Sequence, residues 1–206
     1  MSLDGFVAGP HQSVKHPLGI GGERLHEWAV PLAVWREAHG KPDGAVNASG
    51  AFLHETQSNI GATIMGRHMF GGHPGGWDAA SPWTGWWGDT PPFHHPVFVL
   101  THHPRAPLEL KGGTTFTFVT DGIESALAHA RRAADGQDVA LSGGAQACRQ
   151  YLAAGLVDEM DLNIAPTILG TGERLFDGVG DDLPGGLRLG KTVAGPAAVH
   201  LRFDRR

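Results

Sequence analysis

The feature that most constrains this fold is the alternation of short apolar runs with helical patterns between residues 62 and 154. Four compact apolar runs predict buried strands, at residues 62–65, 96–101, 114–120 and 139–141. Helical patterns follow the last two of these runs, at residues 121–134 and 145–154. An alternation of strands and helices favours a largely parallel sheet with helices on both faces.

The pattern changes after Glu159, where strands are predicted without long helices between them. These strands are expected at about residues 159–168, 187–193 and 197–203. They should add antiparallel pairs at one edge of the sheet. We therefore predict an α/β fold in which residues 1–206 form a single three-layer αβα domain. Its central sheet is expected to be mixed and mostly parallel, with antiparallel C-terminal edge strands.

Four helices are predicted from apolar spacing and from residues that begin or end helices. Residues 23–38 carry a helical face that Pro31 should kink or split, and a second helix is expected at about 47–59. Asp121 with Glu124 three positions later resembles a capping box at the start of a third helix. The fourth helix should end at Gly155.

Composition limits the classes of function. The chain has 206 residues, of which 41% are hydrophobic, and this is enough for one sizeable core. Its formal charge of −5 and the lack of a dense basic run argue against nucleic acid as a partner. Cys148, the single cysteine, cannot form an internal disulfide, and the sequence shows neither a leader nor an apolar run of membrane-spanning length. We expect a soluble, reduced, cytoplasmic protein without a membrane partner.

A glycine pair follows the predicted strand at residues 139–141. Helix N-termini expose unpaired N–H groups, and glycines lack the Cβ atoms that would keep a phosphate at a distance. The alternative is a tight turn with no ligand. The candidate cofactor-binding residues in this segment are Ser142, Gly143, Gly144, Ala145 and Gln146.

Two further predicted strands end in residues that can bind an anion. Gly66 and Arg67 follow residues 62–65, and an arginine can donate a fork of hydrogen bonds to a phosphate, although a surface salt bridge is the alternative. Residues 96–101 end in Thr101, His102, His103, Pro104 and Arg105. Ligands of open α/β sheets bind outside the carboxyl ends of the strands, so the three segments could together bind a dinucleotide.

The 13 histidines raise the question of metal binding. His102 and His103 are adjacent, and adjacent residues on an extended chain point to opposite sides. We therefore predict no metal.

Residues 71–96 should form a long ordered loop, because glycine, proline and tryptophan are concentrated there. The loop could close over a substrate and stack on it, or its indoles could plug the end of the sheet as a small satellite core. The candidate substrate-binding residues are Trp77, Trp83, Trp86 and Trp87.

The chain resembles the dihydrofolate reductase-like family that includes the riboflavin-pathway reductase domain. The resemblance runs over essentially the whole chain. It rests on ordered motifs: Ser-Leu-Asp-Gly at 2–5, Gly-Ala-Thr-Ile-Met-Gly-Arg at 61–67, Pro-Val-Phe-Val-Leu-Thr at 96–101, Ser-Gly-Gly-Ala at 142–145, Leu-Val-Asp-Glu at 156–159 and Leu-Gly-Thr-Gly at 169–172.

The resemblance implies an NADPH site and a homodimer. Gly66-Arg67 and the 142–146 segment would flank the cofactor pyrophosphate, and the Thr101 to Arg105 loop would meet the adenosine 2′-phosphate. Asp4, with Gly5, would lie near the nicotinamide and is a candidate catalytic residue.

The chain departs from the family pattern in three places. Met69 replaces a threonine that usually follows the arginine by two residues. An acidic proton donor has no secure equivalent, and Glu55 is the nearest candidate, for which a solvated helix face is the alternative. Met1 directly precedes the Ser-Leu-Asp-Gly motif, where the family normally has a strand. Either that strand lies upstream of Met1 or part of it has been lost.

Three functions remain open on the sequence alone. The first is NADPH-dependent hydride transfer to a small, heterocyclic or carbonyl substrate. The second is reduction of a ribosylamino-pyrimidine phosphate, which would need a second phosphate site. The third is nucleotide binding without turnover.

Overall fold

The structure, a computed structural model, describes residues 1–73, 75–80, 82–180 and 186–205. The α-helices are α1 (Ala33–Ala38), α2 (Ala48–Gln57), α3 (Arg67–Phe70), α4 (Ile123–Ala134) and α5 (Ala145–Ala153). The strands are β1 (Phe6–Ala8), β2 (Ile60–Gly66), β3 (Pro96–Leu100), β4 (Leu108–Glu109), β5 (Thr115–Val119), β6 (Asp138–Gly143), β7 (Glu159–Ile164), β8 (Glu173–Arg174), β9 (Leu187–Ala194) and β10 (Val199–Arg205). Short 3-10 helices span Gly22–Leu25 and Lys111–Gly113. In these described ranges, no helix is both long and apolar enough to cross a membrane.

Contacts divide the chain into two compact units that alternate along the sequence. Unit 1 comprises Met1–Gln12, Leu18–Ser58 and Arg149–Arg206, and unit 2 comprises Ser13–Pro17 and Asn59–Cys148. That the whole chain folds as a single domain stays a prediction.

Unit 2 is built on a five-stranded sheet in the order β4-β5-β3-β2-β6. The strands β5, β3, β2 and β6 are parallel, and β4 pairs antiparallel with β5 at the edge. Val97, Phe98 and Val99 of β3 are all buried, as expected for a strand covered on both faces. The predicted α/β class with a mixed, mostly parallel sheet is confirmed.

Helix α4 packs against β2, β3 and β6 of this sheet. Its apolar stripe is as predicted, because Ala126, Ala130 and Ala134 are buried. The predicted capping box is wrong. Gly122 occupies the N-cap position with φ 99° and makes no side-chain cap, while the Asp121 carboxylate accepts a hydrogen bond from the Ser125 hydroxyl instead.

Unit 1 contains the late strands, which are antiparallel as predicted. They pair with one another in the order β7-β10-β9, and α2 packs against β9. The short strands β1 and β8 form a separate antiparallel pair.

The helical segment predicted at residues 23–38 is interrupted around Pro31, as expected. The 23–38 segment is split into the 3-10 helix and α1, as a proline inside a helical pattern requires. Asn47 begins α2, since its side-chain oxygen accepts from the backbone N–H groups of Ser49 and Gly50 at 2.9 and 3.2 Å.

Candidate functional site

Three parallel strands of unit 2 end side by side at one edge of the sheet. In the register, Gly66 at the end of β2 pairs with Leu100 of β3, and Met65 pairs with Gly143 of β6. The segments that follow these strands therefore lie at the same edge. This arrangement brings together all the predicted cofactor-binding residues: Gly66, Arg67, Thr101, His102, Arg105, Ser142, Gly143, Gly144, Ala145 and Gln146.

The two glycines at the junction of β6 and α5, Gly143 and Gly144, have different roles. Gly143 has φ 127°, a conformation that L residues rarely adopt, and a Cβ there would lie 3.3 Å from the Met69 sulfur. Gly144 lies outside that region of φ, and the nearest atom to a Cβ there would be the His68 Cβ at 4.0 Å. Gly143 is thus needed for the backbone, whereas Gly144 has room for a Cβ.

Helix α5 begins directly at this turn, and its first helical hydrogen bond runs from the Cys148 N–H to the Gly144 carbonyl at 3.2 Å. The positive end of the helix dipole therefore lies beside the glycine pair. Ser142 and Gln146 are exposed, while Ala145 is buried.

Gly66 allows the end of β2 to approach this turn closely. A Cβ on Gly66 would lie 3.3 Å from the Ala147 Cβ and 3.5 Å from the Gly144 nitrogen. An alanine at position 66 would require Ala147 of α5 to shift by a few tenths of an ångström.

Arg67 is the first residue of α3, and its guanidinium lies over the indole ring of Trp77, 3.9 Å from the ring centroid. One terminal nitrogen donates to the His73 carbonyl at 2.9 Å, while Nε is buried without a hydrogen-bond partner. Among the described residues no carboxylate pairs with Arg67. The surface salt bridge considered from the sequence is therefore not formed there.

Arg105 approaches the same indole from the loop after β3. Its guanidinium carbon lies 4.9 Å from the Trp77 centroid and 5.2 Å from that of Phe118, and a terminal nitrogen donates to the Trp83 carbonyl. It too has no carboxylate partner in the described part of the chain.

Burial lowers the pKa of both guanidinium groups, and the charge of Arg105 lowers that of Arg67 further. Both remain charged at neutral pH, because the ordinary pKa of arginine is so high. In the part of the chain that the structure describes, the two positive charges thus lie close together without a carboxylate counter-ion. Such an arrangement, with an unpartnered buried N–H, fits an anion such as a phosphate group.

Thr101 shapes the loop that carries Arg105. Its buried hydroxyl accepts from the His103 N–H at 3.1 Å, and its own N–H donates to the Val119 carbonyl at 3.0 Å. His102 is exposed between them. The Thr101 hydroxyl therefore has a partner within the loop already.

The four loop tryptophans are half-buried, and three of them donate indole hydrogen bonds to backbone carbonyls. Trp77 donates to His103 at 2.8 Å, Trp83 to Phe70 at 2.9 Å, and Trp86 to Met69 at 3.1 Å.

Trp77, Trp83 and Trp87 also pack against the unit 2 core cluster, which comprises Met65, Phe70, Val97, Val99 and Phe116. Trp86 contacts Trp83 edge-on at 4.5 Å between ring centroids. This is the packing that the satellite-core interpretation requires, and contact of these indoles with a substrate stays a prediction.

Asp4 lies in unit 1, where its carboxylate fixes a loop. It accepts from the backbone N–H groups of Leu169 and Gly170 at 3.1 and 2.7 Å. A hydrogen bond from the Ser2 side chain, together with these backbone bonds, lowers the pKa of Asp4 to about 2. Asp4 is therefore ionised at neutral pH and has no proton to donate there.

Glu55 lies on α2 of unit 1, and its carboxylate forms ion pairs with Lys191 and, at 3.4 Å, with Arg202. The hydrogen bond from Lys191 is the main cause that lowers its pKa. The carboxylate is half-exposed and bound to cations, as expected for a solvated helix face.

The sequence interpretation missed two residues that shape this sheet edge, His68 and Phe118, and it named Met69 only as a departure from the family pattern. His68 and Met69 line the glycine turn, and Phe118 packs beside Arg105. Phe118 could have been found, because β5 is the next parallel strand and Phe118 lies near its carboxyl end.

The fold and the site together define an α/β protein whose parallel sheet carries a glycine turn and two arginines at one edge. Three solved structures are similar to the whole chain. They are a riboflavin biosynthesis protein from Shewanella sp. PV-4 (19% identity, TM-score 0.55, 95% of that chain covered), a diaminohydroxyphosphoribosylaminopyrimidine deaminase/5-amino-6-(5-phosphoribosylamino)uracil reductase from Thermotoga maritima (15%, 0.56, 54%) and RibD of Acinetobacter baumannii (18%, 0.57, 56%). The chain thus spans about half the length of the last two. No curated protein sequence matched it.

The family model of the RibD C-terminal domain matches residues 1–201. The chain belongs to the RibD C-terminal domain family, and the resemblance predicted from the sequence motifs is confirmed.

Proposed function

We propose that this protein is an NADPH-dependent reductase that transfers a hydride to a small heterocyclic substrate. One observation carries the proposal. Arg67 and Arg105 both contact Trp77, neither has a carboxylate partner in the described ranges, and the buried Nε of Arg67 lacks a hydrogen-bond acceptor. A dinucleotide with phosphate groups would supply the missing negative charge.

The glycine turn supports the same proposal from a second position. The open space at Gly144 and the N-terminus of α5 fit a pyrophosphate approaching the backbone. Arg105, with His102 beside it, would bind the adenosine 2′-phosphate. This assignment predicts a preference for NADPH over NADH.

The nicotinamide of the bound cofactor would supply the hydride, and the protein would bind and orient the reactants. Hydrogen bonds lower the pKa of Asp4 and of Glu55, so each is ionised at neutral pH and would have to take up a proton before it could act as a proton donor. A catalytic role for Asp4 stays a prediction.

The substrate class is favoured by family membership. The Thermotoga maritima neighbour is described as a reductase of 5-amino-6-(5-phosphoribosylamino)uracil. A riboflavin-pathway intermediate of this kind is therefore the first substrate to test, and it would require a second phosphate site in this chain.

The experiment combines cofactor binding with turnover. We expect NADPH to bind with a dissociation constant on the order of micromolar, and to be oxidised when the phosphoribosylamino-uracil or another member of a heterocyclic panel is added. Binding without oxidation by any substrate would favour a nucleotide-binding protein without turnover. Absence of binding would contradict the proposal.

A homodimer is proposed as the assembled form. The strand β9 pairs with β10 on one side, and Leu189 on β9 and Val199 on β10 are exposed apolar side chains of this sheet. Light scattering at tens of micromolar protein should give twice the mass of one chain. A monomer at that concentration would contradict this assembly.

A further inference from the structure

Trp77 contacts both Arg67 and Arg105, neither of which has a carboxylate partner among the described residues. Its ring centroid is 3.9 Å from the guanidinium carbon of Arg67 and 4.9 Å from that of Arg105. Both distances lie within the range of a cation–π interaction. The described residues place no other tryptophan over a guanidinium group.

The indole of Trp77 is itself fixed from two sides. Its N–H donates to the His103 carbonyl at 2.8 Å, within the loop that carries Arg105. Its ring packs edge-on against Phe118 at 4.9 Å and Phe70 at 5.9 Å between centroids. The aromatic surface that meets the two arginines is therefore rigid.

An aromatic ring and a carboxylate differ in whether they leave the N–H donors of a guanidinium free to bind a phosphate. A carboxylate would neutralise a guanidinium and occupy its N–H donors, and so would compete with a phosphate. A ring face attracts the cation through its quadrupole and leaves the donors at the guanidinium edge. Trp77 can thus stabilise two neighbouring positive charges while they remain able to bind an anion.

We propose that Trp77 is a positioning residue that orients Arg67 and Arg105 and thereby sets the preference for a 2′-phosphorylated dinucleotide. This role rests on the proposed function, since it presupposes that the arginines bind a cofactor phosphate. It differs from the substrate-stacking role considered from the sequence.

The test compares the dissociation constants of NADPH and NADH in Trp77→Leu, Trp77→Phe and the wild type, with the melting temperature measured on the same samples. Trp77→Leu removes the ring face, and the NADPH preference should fall by about fivefold. Trp77→Phe keeps a ring face but loses the bond to His103, and it should retain most of the preference. If Trp77→Leu does not fold, Trp77→Met replaces it, because methionine fills irregular gaps in a core.

Trp87→Leu is the matched control. Trp87 packs against the same core cluster and contacts Phe93 and Phe116, but neither arginine. Trp87→Leu should lower the melting temperature as Trp77→Leu does and leave the ratio of the NADPH and NADH dissociation constants unchanged.

Each other outcome overturns the role. A folded Trp77→Leu with the wild-type ratio would show that the ring does not orient the arginines. An equal loss of preference in Trp77→Phe would assign the effect to the His103 hydrogen bond, and an equal loss in Trp87→Leu would assign it to core packing. A wild-type protein that binds neither dinucleotide would instead refute the proposed function, and with it this role.

Discussion

Two groups of arginine side chains in this protein differ in how their charge is balanced. In unit 1, the Arg202 guanidinium donates two hydrogen bonds to the Asp161 carboxylate, at 2.8 and 3.0 Å. These hydrogen bonds are the main cause that raises the pKa of Arg202. In unit 2, Arg67 and Arg105 have no carboxylate partner among the described residues, and burial lowers their pKa.

This difference distinguishes an arginine whose charge stabilises the fold from arginines whose charge is available to a ligand. Arg202 also meets Glu55 and Glu159, so its donors are used within the fold. Arg67 keeps a buried N–H that has no acceptor within the described ranges. Two neighbouring positive charges without a counter-ion lower the stability of the fold unless a bound anion neutralises them. Anion binding should therefore have its largest effect at the sheet edge of unit 2.

The largest effect is expected for Gly144→Val. If the cofactor pyrophosphate lies close to the backbone here, the new side chain would occupy its space, and NADPH affinity should fall about tenfold or more. The protein should stay folded, since the nearest atom to a Cβ at Gly144 is 4.0 Å away. Gly144→Ala should reduce affinity less. Titration and thermal melting on the same samples provide the measurement.

Gly143→Ala is the contrasting variant for that experiment. Gly143 has a φ of 127°, and a Cβ at this position would lie 3.3 Å from the Met69 sulfur. Gly143→Ala should therefore lower the melting temperature, whatever its effect on NADPH binding. A folded Gly144→Val that binds NADPH normally would remove the turn from the site.

A smaller effect, and one on stability alone, is expected for Arg202→Met. It leaves the mostly buried Asp161 carboxylate without its partner, and the free energy of unfolding should fall by about 1–2 kcal/mol. NADPH affinity should not change. Arg188→Met is the matched control, because Arg188 is 69% exposed where it pairs with Asp204 and should cost little. Urea denaturation measures both, and a loss of cofactor affinity in Arg202→Met would break the contrast between the two groups.

The smallest effect concerns Asp4, whose charge also acts within the fold. Its folded-state pKa of about 2 lies below the ordinary value of an unfolded aspartate, near ~3.9. The stabilisation is therefore complete above about pH 4 and is lost as the pH falls through about 2. Asp4→Asn should melt slightly below the wild type at neutral pH, and the gap should close in acid. A gap that is constant with pH would show that the charge of Asp4 is not what fixes the loop.

The parallel sheet and its site edge could be predicted because the signals are local. Each of β2, β3 and β6 is an apolar run followed by glycine or polar residues, and parallel strands bring such ends together. The strands β4 and β8 were missed, since each has only two residues, too few to show a strand pattern in the sequence.

Side-chain contacts, both local and long-range, were the other limit. The capping box at Asp121 failed because its carboxylate bonds to Ser125, a competing local partner. The position of Trp77 beside Arg67 and Arg105 depends on how a long irregular loop folds back onto the sheet edge, and no spacing in the sequence encodes that. The predicted roles of Asp4, Glu55 and the loop tryptophans in catalysis or substrate binding stay predictions.

The most direct test of the account is the cofactor preference of Arg105→Ala. Calorimetric titration of the wild type should give tighter binding of NADPH than of NADH by about tenfold or more, because a charge-assisted hydrogen bond to the 2′-phosphate contributes about 1.5–3 kcal/mol. Arg105→Ala should remove that preference and leave NADH affinity nearly unchanged. Equal affinities in the wild type, or the same ratio in a folded Arg105→Ala, would contradict the claim that the unpaired arginines of unit 2 bind the cofactor phosphate.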